Sequence, residues 1–276
     1  MVFKKRCLRI VILLSVCLIS GLAVTQNGEA QAATTSGKDL TANDIIKKAD
    51  DKRAPSQPFK FDLVVEEYAT NKETGKPERK SSSGFRVFVK GVVDKKYQSL
   101  CQFTSPLEDE GKVMLLDGNV FWLYIPGTRN VMRISAAQRL AGQASSADIA
   151  SVNFQHDYDG AILGEEKAQD KDCYVLDLTA KNESVAYARL KYWVEKETFR
   201  PVKTEFYVAS GRLLKTAYYT KFQECLGKNR CTLTVIVDGV NKSKKTTMQS
   251  SNWKLKELPG FWFRKSYLKN IQFEDD

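Results

Sequence analysis

The feature that most constrains the fold of this chain is a long succession of short segments in which apolar and polar residues alternate. The first of them, FKFDLVVEEY, places four apolar residues on one side of a strand: Phe59, Phe61, Leu63 and Val65. Similar segments recur as far as residue 249, separated by charged or glycine-containing turns. A period of two is typical of strands with one solvated face. The sequence therefore predicts about eleven antiparallel strands in a barrel or a strongly curved sheet, which is a mainly β (α+β) fold.

Only a small part of the chain has a helical pattern. TANDIIKKADDKR predicts an N-terminal helix capped by Thr41 or Asn43, with an apolar face formed by Ile45, Ile46 and Ala49. Two short helices are predicted midway along the chain. One begins near Ser135 and ends before Gly142, and the second begins at Ser146.

The stretch NVFWLYIPGTRNVMRI, residues 119–134, has large apolar residues on both sides of a strand. One side carries Val120, Trp122 and Tyr124, and the other carries Phe121, Leu123 and Ile125. Three short helices cover only part of so large an apolar sheet face, and the uncovered remainder is a groove that fits an apolar ligand. We expect the first set to face the groove, because the polar tips of Trp122 and Tyr124 suit an apolar cavity that water reaches.

The N-terminus predicts export. Four basic residues precede an uncharged run of fifteen, and an Ala-x-Ala sequence ends at Ala32. This is the pattern of a secretory signal peptide over residues 1–32, and the apolar run is short for the alternative, a membrane anchor. We assign residues 33–276 to a single exported domain. The formal charge of +10 falls to +7 when four bases and Glu29 are removed (10 − 4 + 1). No nucleic-acid-binding module accompanies this charge, whereas a weak attraction to anionic lipid stays open.

Four cysteines lie beyond the signal peptide, and an even number in an exported chain favours disulfides. We expect Cys225 to pair with Cys231 across a hairpin, which leaves Cys101 for Cys173. A zinc site is the disfavoured alternative, since neither CxxC pairs nor several histidines are present. The single histidine, His156, has no nucleophile motif beside it, so the sequence predicts no enzyme, no cofactor and no metal.

Several segments in a fixed order resemble the outer-membrane lipoprotein-sorting protein family, whose members are LolA-like periplasmic carriers. PLEDEGKVMLL followed by VFWLYIPGTRNVMRI is similar to one family tract, and SSADIASVNFQHDYDG is similar to the next. The segment AYARLKYWVEKETFRPVKTEFYVASGRLLKTAYY and the ending WFRKSYL complete the resemblance, which covers residues 105–270. The cysteines are not part of it.

The resemblance implies an unclosed β-barrel whose helices form a lid over an apolar cavity. It implies a carrier of lipoprotein acyl chains or another lipid, with an RND-type membrane transporter as partner. The alternative is a sensor or adaptor domain that uses the same fold to bind such a membrane protein. We expect the chain to act as a monomer and the lid contacts to be apolar and easily replaced. The predicted ligand-binding residues are Phe61, Leu63, Val87, Met114, Trp122, Tyr124, Tyr192 and Phe206.

Overall fold

The computed structural model describes residues 40–273, in which thirteen strands form one antiparallel sheet. The first six strands are β1 (Phe59–Thr70), β2 (Pro77–Val93), β3 (Lys96–Ser105), β4 (Val113–Asp117), β5 (Val120–Ile125) and β6 (Asn130–Ile134). A separate hairpin follows, made of β7 (Arg139–Ala141) and β8 (Ala144–Ser145). The remaining strands are β9 (Tyr158–Ala168), β10 (Lys171–Ala180), β11 (Arg189–Glu195), β12 (Pro201–Tyr207), β13 (Leu213–Cys225), β14 (Lys228–Asp238) and β15 (Lys245–Leu255).

The sheet is a meander with one long-range pairing. Each strand lies beside its neighbour in sequence, except that β1 pairs with β15 and so joins the two halves. The edges are β6 and β9, which do not pair with each other. The unclosed antiparallel sheet is confirmed, but the prediction of eleven strands was too low.

The two strands that the sequence pattern missed are the two edges, β6 and β9. Strand β9 buries one of its eleven residues, Tyr158, and β6 buries none of its five. Apolar and polar residues alternate along a strand because one of its faces is buried. An edge strand that buries few residues therefore shows little alternation.

Three α-helices lie in the described residues: α1 (Ala42–Arg53), α2 (Ser146–Ile149) and α3 (Phe154–Asp157). Short 3-10 turns occupy Pro126–Thr128, Gly260–Phe263 and Lys265–Asn270. None of the helices described is both long and apolar enough to span a bilayer. Helix α1 begins where predicted, because the Thr41 hydroxyl accepts a hydrogen bond from the Asp44 amide at 3.2 Å.

The helix predicted from Ser135 was wrong. That segment is a turn followed by the β7–β8 hairpin, and the chain turns at Gly142, where φ is +52°. A side chain at this position would meet Thr246 Oγ1 at 2.5 Å, so the glycine permits both the turn and the close approach to β15. Helices α2 and α3 then follow. We call residues 135–157, from this turn to the end of α3, the lid segment.

The sheet buries residues on both of its faces. On the inner face, α1 and the lid segment pack over one continuous apolar cluster that reaches from β1 to β14. On the outer face, the C-terminal segment, residues 256–273, packs over β2–β6 around Phe88, Leu100 and Leu115. The apolar surplus of residues 119–134 therefore has a structural cause: β5 lies between two packed layers.

Candidate functional site

A cavity of about 110 Å³ lies on the inner face, between the sheet, the end of α1 and the lid segment. One part of its wall is apolar, contributed by β1 and β15: Phe61, Leu63, Met248 and Trp253. The other part is polar and includes Arg53, Asp148, Ser151, Tyr219, Thr232, Thr234 and Ser250, with Cys231 beside them. The site is thus amphipathic, with an apolar floor and a polar side.

Three aromatic rings stack at the apolar floor: Phe61 and Trp253 line the cavity, and the buried Phe59 packs against them. The Trp253 ring lies 4.7 Å from that of Phe61 and 5.4 Å from that of Phe59, and the planes are within 13° of parallel. Trp253 is held in this orientation because its indole nitrogen donates to Ser250 Oγ at 3.2 Å. Such a platform offers flat apolar area without exposing an unpaired donor.

The interior behind the polar side contains a buried tyrosine hydroxyl. Tyr192 is fully buried, and its hydroxyl has no hydrogen-bond partner among the described residues. Burial raises the pKa of Tyr192 well above its ordinary value, and the phenol groups of Tyr192 and Tyr219 interact electrostatically. This unpaired hydroxyl lies behind the cavity wall and not in it, so it adds polarity to the interior without forming part of the site.

The lid segment is fastened to the sheet by a buried ion pair. Lys215 of β13 is only 2% exposed, and its ammonium donates to Asp148 Oδ2 and to the Gln143 carbonyl, the latter at 3.0 Å. The same carboxylate oxygen accepts from Tyr187 at 3.0 Å and from the Ser145 amide at 2.7 Å. We call the Lys215–Asp148 pair with these partners the latch. Burial lowers the pKa of Lys215, and the Asp148 carboxylate opposes that shift.

Polar contacts fasten the rest of the lid segment as well. The Gln143 amide donates to Thr246 Oγ1 at 2.9 Å, and the Tyr97 hydroxyl donates to the Ser151 carbonyl at 2.7 Å. At the far end, the Gln155 amide donates to the buried Asp50 carboxylate at 2.7 Å. The lid segment makes the expected apolar contacts through Ala147, Ile149 and Phe154, but these polar contacts add to them. The expectation that the lid contacts are easily replaced is therefore corrected.

His156 of α3 joins the lid segment to the β2–β3 turn. Its Nε2 lies 3.1 Å from the Lys95 carbonyl, and its Nδ1 lies 2.8 Å from Asp157 Oδ1. The hydrogen bond with the Asp157 carboxylate is the main cause that raises the pKa of His156, and partial burial opposes the rise. Neither contact places the imidazole beside a nucleophile.

We expect the imidazole of His156 to titrate above the ordinary histidine value of about 6.5. Because the folded-state pKa is the higher one, the stabilisation is complete below the unfolded pKa and is lost as the pH rises through the folded pKa. His156 is the single histidine of the chain, so one imidazole resonance followed by NMR measures the value directly. Asp157→Asn is expected to lower it; an unchanged pKa in that variant would rule out the Asp157 carboxylate as the cause of the rise.

Six of the eight predicted ligand-binding residues lie on the inner face: Phe61, Leu63, Val87, Met114, Tyr192 and Phe206. Phe61 and Leu63 line the cavity itself. Phe206 lies beside the latch, with its ring centre 5.1 Å from the Lys215 ammonium. Val87, Met114 and Tyr192 are fully buried around the cavity rather than in its wall.

The placement of Trp122 and Tyr124 toward the groove is corrected, because both lie on the outer face against the C-terminal segment. The register of the β4–β5 hairpin is the reason. Trp122 is opposite Leu115, an outer-face residue, whereas Met114 is opposite Leu123. Residues directly opposite on neighbouring strands share a face, so Met114 and Trp122 face opposite sides. The β5 side chains on the inner face are instead those of Phe121, Leu123 and Ile125.

The expected disulfides are also corrected, since all four cysteines between residues 40 and 273 are free. In the β13–β14 hairpin Cys225 is opposite Lys228 and Cys231 is opposite Phe222, so the two are three positions out of register. That offset exceeds the separation a disulfide spans. Cys101 belongs to the inner-face cluster, and Cys173 lies in a small separate cluster with Trp193 and Val202.

The fold has counterparts among known proteins. A family model described as an uncharacterized protein matches residues 95–270. The crystal structure of a LolA superfamily protein from Nitrosomonas europaea is 34% identical, with a TM-score of 0.73 over 83% of this chain and 99% of that one. The chain belongs to the LolA superfamily. No curated protein matches it.

Two more distant relatives of this LolA superfamily member have the same fold. One is a domain assigned to outer membrane lipoprotein sorting from Vibrio parahaemolyticus, 21% identical with a TM-score of 0.68, covering 82% of this chain and 97% of that chain. The other is a DUF1329 family protein from Desulfovibrio piger, 23% identical with a TM-score of 0.68 and the same coverage of both chains. At these identities the likeness concerns the fold alone.

Sequence reasoning missed Trp253, Met248 and the latch. Trp253 and Met248 lie on β15, whose alternation of apolar and polar residues was visible only in part. A bulge in the pairing of β15 with β1 near Lys60–Asp62 also changes which residues of β15 face inward, so Trp253 and Met248 share a face despite an odd spacing. The latch had a weaker signal: Lys215 lies among apolar residues in LLKTAYY, at a position that faces the core. A lysine at such a position indicates a buried partner.

Proposed function

We propose that this LolA superfamily member carries an apolar chain, from a lipoprotein or another lipid, between its inner sheet face and its lid segment. The observation that carries the proposal is the amphipathic cavity under the latched lid. Its stacked rings suit an acyl chain, and its polar side suits the group to which that chain is attached. Apolar contact contributes roughly 25 cal/mol for each Å² removed from water, so a chain that buries a few hundred Å² is held firmly.

The lid segment must move for such a ligand to bind. Pockets for small molecules measure about 300–1,000 Å³, and the cavity in this conformation measures about 110 Å³. Displacing the lid segment adds the inner-face area that Ala147, Ile149 and Phe154 now cover. Ligand binding is thus coupled to opening of the latch, which makes affinity depend on lid energetics as well as on contact area.

We place this activity in the periplasm, following the predicted signal peptide, which lies outside the described residues. The proposed ligands are lipoproteins or lipids. The membrane partner, an RND-type transporter, stays a prediction from the family resemblance. The alternative, a sensor or adaptor that binds a membrane protein, predicts a stable protein complex and no displaceable apolar ligand.

The proposal is tested with a hydrophobic fluorescent dye and a lysine placed in the cavity. Met248→Lys is expected to weaken dye binding at least about tenfold, because an ammonium in the apolar floor must be desolvated when the dye binds. Gln249→Lys is the matched control: it is the next residue, it is exposed on the outer face, and it adds the same charge. We expect it to leave dye binding unchanged.

The dye must also be displaced by a lipid or a lipopeptide. Dye that binds the two variants equally, or that no acyl-chain ligand displaces, would contradict the proposed carrier function. A stable complex with a membrane protein in the absence of any displaceable ligand would favour the adaptor alternative.

A further inference from the structure

The polar side of the cavity includes an arginine, Arg53, in the last turn of α1. Its guanidinium has five N–H groups, and one of them donates to Asp50 Oδ1 at 2.9 Å. No other residue between 40 and 273 accepts a hydrogen bond from it. The ring of Phe154, from the lid segment, covers one face of the guanidinium, with Cζ 4.1 Å from the ring centre. A stacked guanidinium keeps the N–H groups of its edge, so Arg53 has donors left for a ligand.

A second guanidinium lies at the same end of α1. Arg230 of β14 is only 2% exposed, and it donates to the carbonyl oxygens of Asp51 and Lys52 at 3.0 and 3.2 Å. Burial lowers the pKa of Arg230, and the charge of Asp51, which solvent screens, opposes the shift. The carbonyl oxygens carry no net charge. The guanidinium groups of Arg53 and Arg230 therefore share one buried carboxylate, that of Asp50, and an anionic ligand group would balance them.

The rest of the polar side does not oppose an anion. Asp148 is the acidic residue in the cavity wall, and its Oδ2 accepts from Lys215 and Tyr187 inside the latch, where the ammonium balances its charge. Ser250 Oγ accepts from the Trp253 indole at 3.2 Å, so its own hydroxyl hydrogen remains for donation. The wall therefore offers hydrogen-bond donors beside the stacked rings.

We propose that the apolar ligand of this cavity ends in an anionic headgroup, a carboxylate or a phosphate, and that Arg53 binds this headgroup. The inference rests on the proposed carrier function and names the class of ligand. The edge of a guanidinium donates two parallel hydrogen bonds to a carboxylate or a phosphate. The chain lies on the rings of Phe61 and Trp253, with its headgroup toward the end of α1. Since Phe154 stacks on the same guanidinium, lid and ligand meet at Arg53.

Two ligands of equal chain length test the proposal. Dodecanoate and dodecanol each compete with an uncharged hydrophobic dye, below the concentration at which either aggregates. Dodecanoate is expected to displace the dye at a concentration at least about tenfold lower, because a hydrogen bond between charged groups is stronger than a neutral one. Dodecyl phosphate should act like dodecanoate. Inorganic phosphate should leave the dye bound, since it lacks the chain that supplies the apolar contact.

Two substitutions locate the preference. Arg53→Gln is expected to remove most of the difference between dodecanoate and dodecanol. Arg212→Gln is the matched control, because it removes an exposed arginine from the β12–β13 turn, and it should keep the difference. Arg53→Gln leaves the buried Asp50 carboxylate without its partner, so the double variant Asp50→Asn, Arg53→Gln is measured as well. We expect the same result from it, and circular dichroism shows that each variant is folded.

The outcomes separate this inference from the carrier function. Equal displacement by dodecanoate and dodecanol in the unaltered protein overturns the inference and leaves the carrier function standing. Displacement by inorganic phosphate also overturns it, because it means a free-anion site. A preference for dodecanoate that survives in both Arg53 variants, or that Arg212→Gln removes equally, overturns the role of Arg53. Dye that no chain-bearing ligand displaces contradicts the carrier function itself.

Discussion

Lys215→Met is expected to lower the free energy of unfolding by about 3–5 kcal/mol, the usual cost of leaving one member of a buried ion pair without its partner. The Asp148 carboxylate keeps its hydrogen bonds from Tyr187 and Ser145 but loses the ammonium that balances its charge. Denaturation by urea, followed by circular dichroism, measures the change. Lys221→Met is the control on the same strand: Lys221 is exposed, so the expected change is within about 0.5 kcal/mol.

A second variant separates the charge from the packing. Lys215→Met combined with Asp148→Asn removes both charges while an amide oxygen can still accept from Tyr187 and Ser145. We expect the double variant to recover about 2 kcal/mol or more of the lost stability, since a buried pair can often be replaced by neutral groups at little cost. A double variant as unstable as the sum of the two single variants would contradict the latch as an ion pair. If the carrier function holds, the weaker latch should also speed dye binding.

Phe263→Ala is the second change with a large expected effect, about 3–5 kcal/mol. Phe263 is 2% exposed and packs with Leu258 and Trp262 over the outer face of β2–β6. Removing its ring leaves a cavity between the C-terminal segment and the sheet. Urea denaturation again measures the effect.

A phenylalanine two positions earlier supplies the control for this variant. Phe261→Ala removes a ring that is 44% exposed, so we expect a loss of about 1 kcal/mol or less. Dye binding in the inner-face cavity should be the same in both variants, apart from the fraction that is unfolded. A similar loss of stability in the two variants would mean that the C-terminal segment does not pack over the sheet through Phe263.

Much of the sheet could be predicted from the sequence, because its inner strands bury one face and alternate accordingly. The edges β6 and β9 escaped prediction, since they bury almost nothing. The start of the lid segment was mistaken for a short helix because Ser135 and Gln138 imitate a helix start, whereas the helix predicted from Ser146 is present as α2. The contact with Thr246, which only a glycine at position 142 permits, is not visible in a local pattern.

The face of β5 could have been predicted correctly. A two-residue turn between β4 and β5 places even-numbered residues of one strand opposite odd-numbered residues of the other, so Met114 and Trp122 cannot share a face. The missing information was the layer on the outer face. Apolar residues on both sides of β5 meant two packed layers, and the second layer comes from residues more than a hundred positions later.

The pairing of β1 with β15 has a consequence for how the protein folds. Phe59 is opposite Leu255, so the strand at the centre of the sheet finds one neighbour immediately and the other only at the far end of the chain. Each half of the meander can form its local hairpins early, but the two halves join in one late, long-range step. Closing so long a loop is slow, and until it occurs β1 and β15 each present an unpaired edge to other chains. Refolding yield should therefore fall as protein concentration rises, because the unpaired edges of β1 and β15 in different chains can pair and aggregate.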